Sequence, residues 1–436
     1  MTTTIPSGPA SGPASASTSA STSASTSAGL GASYWRLLSA ASLSSLADGA
    51  LKVTLPLLAR TYTDAPLAIA GVGTAAMLPW LLSLPVGAIV DRSDRRIILL
   101  CANLVRAMIL ALSAFLAVVG ISSIAAIYLV AFSAGVAETF YATAASAIVP
   151  QLVDRTQLDR ANALQQIADQ ATNQFAGPAL GGVLAGVGVG LALGGPAMVW
   201  AVAAGMLIAL TGTFRARRDE PTEVTSLRSD IAIGVRFLAR STALRSVCAC
   251  VAVTNFAGAA AAGVFVLYAV GPGSPLGLSP RGFGLLLAAS AVGSVLGSLL
   301  IRAATRALDL RALLAINTVT QAGQIIAPVL THNVVAIGAA YALGGLGVAL
   351  WNVGTVTMRQ RIVPLHLLGR VISTHRLIAW GSLAIGALTG GVVAHTAGLV
   401  VLFWGAAAMT LAGALALLPL TAARVGQEAR NAASTL

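Results

Sequence analysis

Three carboxylates and two cations stand where nearly every neighbouring residue is apolar. Asp48 and Lys52 lie four residues apart in Ser44-Ser-Leu-Ala-Asp48-Gly-Ala-Leu-Lys52, a spacing that puts them on one face of a helix. Arg106 interrupts the apolar run from Ile97 to Val118, Glu138 sits within the run from Ile124 to Val149, and Asp169 falls between Ala161 and Gly188. A carboxylate in a low-dielectric surrounding holds a proton more readily than in water, and a neighbouring cation opposes that. The chemistry open to these groups is a proton and substrate relay. The other reading is structural: Lys52 neutralising Asp48, and Arg106 serving as partner to an acid. From residue 231 onward the only acids are Asp309 and Glu428, one in a loop and one near the end of the chain. A carboxylate that carries a coupling proton therefore lies in the first half.

Polar residues also form stripes. Gln165, Asp169, Asn173 and Gly177 follow at steps of four; Asn317, Gln321 and Gln324 are spaced similarly; Asn255 and the Trp351-Asn352 pair add further polar and aromatic groups. Such a stripe either lines a water-filled cavity or makes interhelical hydrogen bonds worth ~1 kcal/mol or less each. A mostly apolar cavity with a few polar groups suits a hydrophobic or amphipathic ligand.

The elements that must position these residues are membrane helices. The chain has 436 residues, 57% hydrophobic and 9% charged, with mean hydropathy +0.86. A soluble domain carries about 25% charged residues. Apolar segments of roughly 20 residues, enough to cross a ~30 Å hydrocarbon core as a helix, recur throughout, and the ~10-residue alternating segments of a β-barrel are absent. The fold class is thus an all-α polytopic membrane protein, with twelve helices expected at about 35–60, 66–90, 97–118, 121–149, 161–188, 192–213, 243–270, 282–301, 311–330, 334–361, 371–394 and 397–420. Residues 1–33, rich in Ser, Thr, Ala, Gly and Pro, read as a disordered tail without the basic start and apolar core of a secretory signal. Residues 34–213 and 243–421 form two six-helix halves. Between them, 214–242 is a polar linker ending in an amphipathic surface helix, Asp230 to Arg240; 422–436 is a second tail. Arginines crowd the loops after even-numbered helices, which places both termini in the cytoplasm.

The net charge of +12 follows this loop pattern and does not indicate a nucleic-acid partner. Cys101, Cys248 and Cys250 lie in expected spans with no His cluster, so they read as small core residues, and no metal or other cofactor is expected. The halves repeat weakly: Gly87-Ala-Ile-Val-Asp91-Arg92 aligns with Gly297-Ser-Leu-Leu-Ile301-Arg302. Likewise Gly177-Pro178-Ala-Leu-Gly181-Gly182 aligns with Gly386-Ala-Leu-Thr-Gly390-Gly391. Two parallel halves imply a substrate site at their interface, near the bilayer midplane.

Residues 87–96, Gly-Ala-Ile-Val-Asp-Arg-Ser-Asp-Arg-Arg, sit between the second and third expected helices. They closely resemble the G-x-x-x-D-R-x-G-R-R loop of the major facilitator superfamily of secondary transporters. That resemblance implies a conformational latch of Gly87, Asp91, Arg92 and Arg95. Asp91 can accept hydrogen bonds at a helix start and pair with arginine. Asp94 replaces the pattern's Gly; Asp tolerates left-handed backbone better than most residues. Gly177-Pro178-x-x-Gly181-Gly182 resembles the core of the family's antiporter signature, which marks export by proton exchange. Residues 137–153, 159–164, 177–178 and 363–371 are similar to the enterobactin-exporter and macrolide-efflux branch.

The resemblance implies a multidrug-type efflux antiporter in a bacterial cytoplasmic membrane, monomeric, embedded in lipid and driven by the proton gradient. It would export a drug, macrolide or siderophore type of molecule. The proton would bind Asp48 or Glu138, with substrate release following protonation. An importer of a small metabolite and a transporter-like sensor without flux stay open. The chain has no HExxH, no G-x-S-x-G and no Walker loop, so neither an enzyme nor an ATP-driven pump is expected.

Overall fold

The computed structural model describes residue 2 and residues 30–121, 123–154, 157–210, 212, 214, 227–363 and 365–433. Most of the expected 1–33 tail, and the linker arginines Arg215, Arg217 and Arg218, lie outside the described residues. The structure is all-helical. The first half holds α1 (Ala32–Tyr62), α2 (Pro66–Met77), α3 (Ser83–Arg92), α4 (Arg95–Val118), α5 (Ile124–Ile148), α6 (Leu158–Asp169), α7 (Gly177–Val187) and α8 (Val189–Ile208). After α9 (Leu227–Arg240) come α10 (Thr242–Ala262), α11 (Phe265–Ala269), α12 (Pro280–Ala307), α13 (Leu310–Leu330), α14 (Val334–Ile362), α15 (Leu365–Thr396), α16 (Leu399–Gly413) and α17 (Ala422–Ala433). Among the described residues, nine helices are long and apolar enough to cross a membrane. The chain is an integral multi-pass membrane protein.

Local chemistry sets the helix ends. Ser123, Ser241, Ser279, Asp309 and Asn333 each accept a hydrogen bond from a first-turn N–H of the helix they precede, which satisfies donors that have no partner inside the helix. Three expected single helices are interrupted: the seventh stops as α10 at Ala262 and resumes as α11 at Phe265. The second is split by a 3-10 segment, Leu78–Leu82, containing Pro79. The fifth carries a π-helical segment, Gln170–Ala176, between α6 and α7. Pro178 has no N–H, and its ring would crowd the carbonyl four residues back; the wider π turn just before it relieves that conflict.

The glycine repeat read from sequence is realised as a repeat of contacts. In α7, a Cβ at Gly177 would come within 2.7 Å of Gly49 Cα, and one at Gly181 within 2.9 Å of Ala50 Cα, both in α1. In α15, Gly386 and Gly390 stand the same way against Phe256 and Ala260 of α10. The last glycine of each motif faces the opposite half. A Cβ at Gly182 would meet Pro280 O of α12 at 2.6 Å, and one at Gly391 would meet Ala70 Cβ of α2 at 2.7 Å. Small residues at these crossings let backbones touch.

The halves meet at the end of the bundle opposite the termini. There α7 meets α12, α15 meets α2, and Arg60 Nη1 donates to Val266 O at 2.9 Å. Farther along the same interface the rings of Trp80 and Trp380 stack at 4.1 Å with planes 10° apart. At the termini end, Arg36 and Arg96 donate to the last carbonyls of α8: Ala209 O at 3.1 Å, Leu207 O at 3.1 Å and Ile208 O at 2.7 Å. Cations there also complement the negative end of the helix dipole. The expected tail after residue 421 instead contains α17. Its Glu428 accepts from Ser241 Oγ at 2.5 Å and Ala243 N at 3.3 Å, closing the start of α10.

Gly181→Val and Gly390→Val should each overpack a backbone crossing and cost about 1–3 kcal/mol. Gly73→Ala, where nothing lies within 4 Å, should be neutral. Thermal midpoints of the purified proteins in detergent check this; equal midpoints for all three would remove the close-approach argument.

Candidate functional site

The ionisable residues of the first half converge on one guanidinium. Arg106 of α4 is fully buried. Its Nη2 donates to Glu138 Oε2 of α5 at 2.7 Å. Its Nη1 donates to Asp48 of α1, with Oδ1 at 3.3 Å and Oδ2 at 3.4 Å, and to Ser44 Oγ at 3.2 Å. The guanidinium carbon lies 5.2 Å from the ring centroids of Tyr141 on α5 and Trp200 on α8, within range of a cation–π attraction. Ser44 Oγ in turn donates to Asn103 Oδ1 at 3.0 Å. One side chain therefore joins four helices.

Lys52 does not form the ion pair with Asp48 that the sequence left open. It hydrogen-bonds Asn173 Oδ1 in the π segment, while Asp48 pairs with Arg106. Asp169, one turn before Asn173, accepts from Ser45 Oγ at 2.8 Å. Asp48 and Glu138 are only partly exposed, at 17% and 27% of their side chains, whereas Lys52 is exposed. Helix α1 packs on its own half and also approaches α11 and α12 of the other. A separate apolar groove of about 400 Å³ between α4 and α5, lined by Ile98, Cys101, Val105, Phe132 and Phe140, holds none of these groups.

The second half contributes less than the sequence suggested. Asn255 donates to Ala379 O at 3.0 Å and ties α10 to α15. Asn352 is exposed on α14. Trp351 packs, 7% exposed, with Cys248, Leu314 and Met358 in an apolar cluster. The α13 stripe faces α14, where Gly347 lies against Asn317 and Gly344 against Gln324; it is interhelical packing. The sequence did not single out Ser44, Ser45, Tyr141 or Trp200. Ser44 stands four residues before Asp48 and Tyr141 three after Glu138, which was the available signal; nothing in the sequence tied Trp200 to them.

Of the charged loop, the side chains of Arg92, Asp94 and Arg95 are described. The side chain of Asp91 lies outside the described residues. Asp94 holds the start of α4: its Oδ1 accepts from Arg96 N at 2.9 Å and its Oδ2 from Phe214 N at 3.3 Å. Its φ is −73°, so the left-handed turn considered for it is not adopted. A cap requires extended backbone, and Asp serves there as an acceptor. Arg95 is buried and its N–H donates to Phe214 O at 3.3 Å. Arg92 is exposed, and Gly87 has open space around it.

An all-helical bundle in two halves that meet at one end, with buried charges inside the first half, has the architecture of a membrane transporter of the major facilitator fold. A variant of the nucleoside transporter NupG has a TM-score of 0.71 at 12% identity, covering 89% of this chain and 99% of that one. A bacterial homologue of the iron transporter ferroportin in an inward-facing state has a TM-score of 0.67 at 17% identity, covering 89% and 98%. The chain belongs to the transmembrane secretion effector family of the major facilitator superfamily, matched over residues 24–435. Uncharacterized transporters of this superfamily from Mycobacterium bovis and Mycobacterium tuberculosis are each 32% identical over 148 residues. That match spans 33% of this chain and 33% of each relative.

Arg106→Met leaves two facing carboxylates without their cation, and breaking a buried pair costs ~3–5 kcal/mol. Adding Asp48→Asn and Glu138→Gln should recover part of that loss, a coupling read from thermal midpoints; strict additivity would deny the shared network. Asp94→Ala should lose a cap worth ~1 kcal/mol and raise proteolytic cleavage near residue 214, seen by limited proteolysis.

Proposed function

We propose that the protein is a secondary active exporter in a bacterial cytoplasmic membrane, expelling a small hydrophobic or amphipathic organic molecule in exchange for protons. It has twelve spans in two six-helix halves, with α1, the α2–α3 pair and the α6–α7 pair joining the nine apolar helices. The termini and α9 lie on the cytoplasmic side, as the arginine distribution favours. The contact between the halves at the far end then corresponds to a state open to the cytoplasm. The protein works as a monomer without a cofactor, with the proton gradient as its energy source. The motifs at 87–96 and 177–182 support placing it near the enterobactin-exporter and macrolide-efflux branch.

The observation that carries this reading is the single guanidinium shared by Asp48 and Glu138 inside the first half. Two carboxylates hold one cation between them. A proton arriving on either weakens its hold and lets Arg106 shift toward the other, and a rearrangement across four helices follows from a one-proton event. In the state open to the outside, proton uptake accompanies substrate release. In the state open to the cytoplasm, the proton leaves and substrate loads. Lys52, Asp169 and Asn173 set the field around the pair, and the glycine crossings of α7 and α15 serve as rolling contacts.

The test is accumulation of a panel of hydrophobic antibiotics and siderophores in expressing cells, with and without a protonophore. Expression should lower accumulation of at least one compound severalfold. The protonophore, Asp48→Asn and Glu138→Gln should each abolish the effect at equal membrane abundance. Lowered accumulation that persists with the protonophore or in both variants would overturn proton coupling, and raised accumulation would reverse the direction.

A further inference from the structure

The two halves differ in the sign of the charges they hold. The acids with a place inside the bundle all belong to the first half; beyond residue 231 the sequence has only Asp309, which caps α13, and Glu428, which caps α10. Yet the second half gathers cations. Arg359 of α14 lies half-buried, with Nη1 3.3 Å from His375 Nδ1 of α15 and Nε donating to Thr355 O at 3.3 Å. Arg376, next along α15, is exposed and close enough to repel both Arg359 and His375. His375 Nε2 is buried and makes no hydrogen bond within the protein. Arg376 stands one turn before Trp380, on the same helical face, and Trp380 stacks on Trp80 of the other half; that face looks across the interface. Arg359 stands past the apolar span of α14, Val334–Asn352, and His375 and Arg376 begin that of α15, Thr374–Thr396, on helices and not in the loop between them. Here two arginines and a histidine are drawn together between helices, beside the apolar cluster that holds Cys248 and Met358. Repelling cations held together in a partly dry place are stabilised by an anion.

We propose that Arg359, His375 and Arg376 bind the anionic head group of the transported molecule, which is therefore an amphipathic organic anion carrying a carboxylate or phosphate beside an apolar body. The head group lies between the two guanidiniums. The apolar body extends toward the Trp80–Trp380 pair. The word "transported" rests on the exporter reading; the binding site does not.

Binding is measured on purified protein with no gradient present, so its outcome is independent of proton coupling. Two fluorescent probes are compared: pyrenebutyrate, an amphipathic anion, and pyrenebutanol, its neutral counterpart. Pyrenebutyrate should bind about tenfold or more tightly, the scale of one charge-assisted hydrogen bond. Arg376→Gln, at an exposed position, should erase the preference, and Arg359→Gln should do the same. Arg424→Gln, on α17, should keep it. Equal affinity for both probes, or a preference that survives Arg376→Gln, overturns the proposal. A second arm repeats the titration in nanodiscs of phosphatidylcholine with and without phosphatidylglycerol. Unchanged binding supports a site for substrate; displacement by phosphatidylglycerol assigns the cations to a lipid head group and overturns it.

Discussion

A guanidinium with no water around it must find its partners before the helices near it can settle. Arg106 is that group here. Taking a charge into the bundle costs several kcal/mol, and it is stable only because Asp48, Glu138 and Ser44 supply acceptors while Tyr141 and Trp200 offer their ring faces. Those partners come from α1, α5 and α8, so the positions of three helices are fixed relative to α4 by one side chain. A change in the charge of either acid would therefore be felt by all four helices. The π segment extends the arrangement to a fifth span by bringing Asn173 to Lys52.

Much of this was legible in the sequence, for physical reasons. Membrane spans announce themselves by length and hydropathy, and an ionised side chain among apolar residues is conspicuous. Glycine at fixed spacing in both halves pointed to the crossings of α7 and α15. Pairing was not legible. Asp48 and Lys52 share a helical face, yet Asp48 reaches across to Arg106, a choice decided by the packing of both α1 and α4 on α8. Asp94 was read for its backbone tolerance when its value lies in its acceptor oxygens. Trp351 was grouped with Asn352 by adjacency, and the sequence does not show that it packs with Cys248 and Leu314 while Asn352 is exposed. The α17 helix was missed because its amphipathic pattern is short and polar, and only its docking through Glu428 gives it a place.

The two halves are alike in construction and unlike in chemistry. The glycine motif of α7 and that of α15 make equivalent contacts, two with the first helix of their own half and one with the other half. The ionisable residues do not follow that symmetry. Carboxylates lie inside the first half, while Arg359, His375 and Arg376 gather in the second, so the repeated scaffold holds charges of opposite sign. Nothing in the scaffold requires such a division; helix packing constrains the glycines, while the residues facing the cleft are free to diverge.

The meeting of the halves through glycine has a further consequence. Where side chains interlock, parting two surfaces means rotating each one out of its socket, and the barrier grows with every socket. Backbone against backbone has no sockets. At the crossings of α7 with α12 and of α15 with α2 the helices touch closely like smooth rollers, while beside them side chains of both halves, Leu58 and Ile69 with Phe265 and Phe283 among them, share one apolar cluster. A bound molecule shifts such a body only by as much as it favours one arrangement over another. The glycine crossings are where one helix can move over its neighbour without first turning a side chain out of the way.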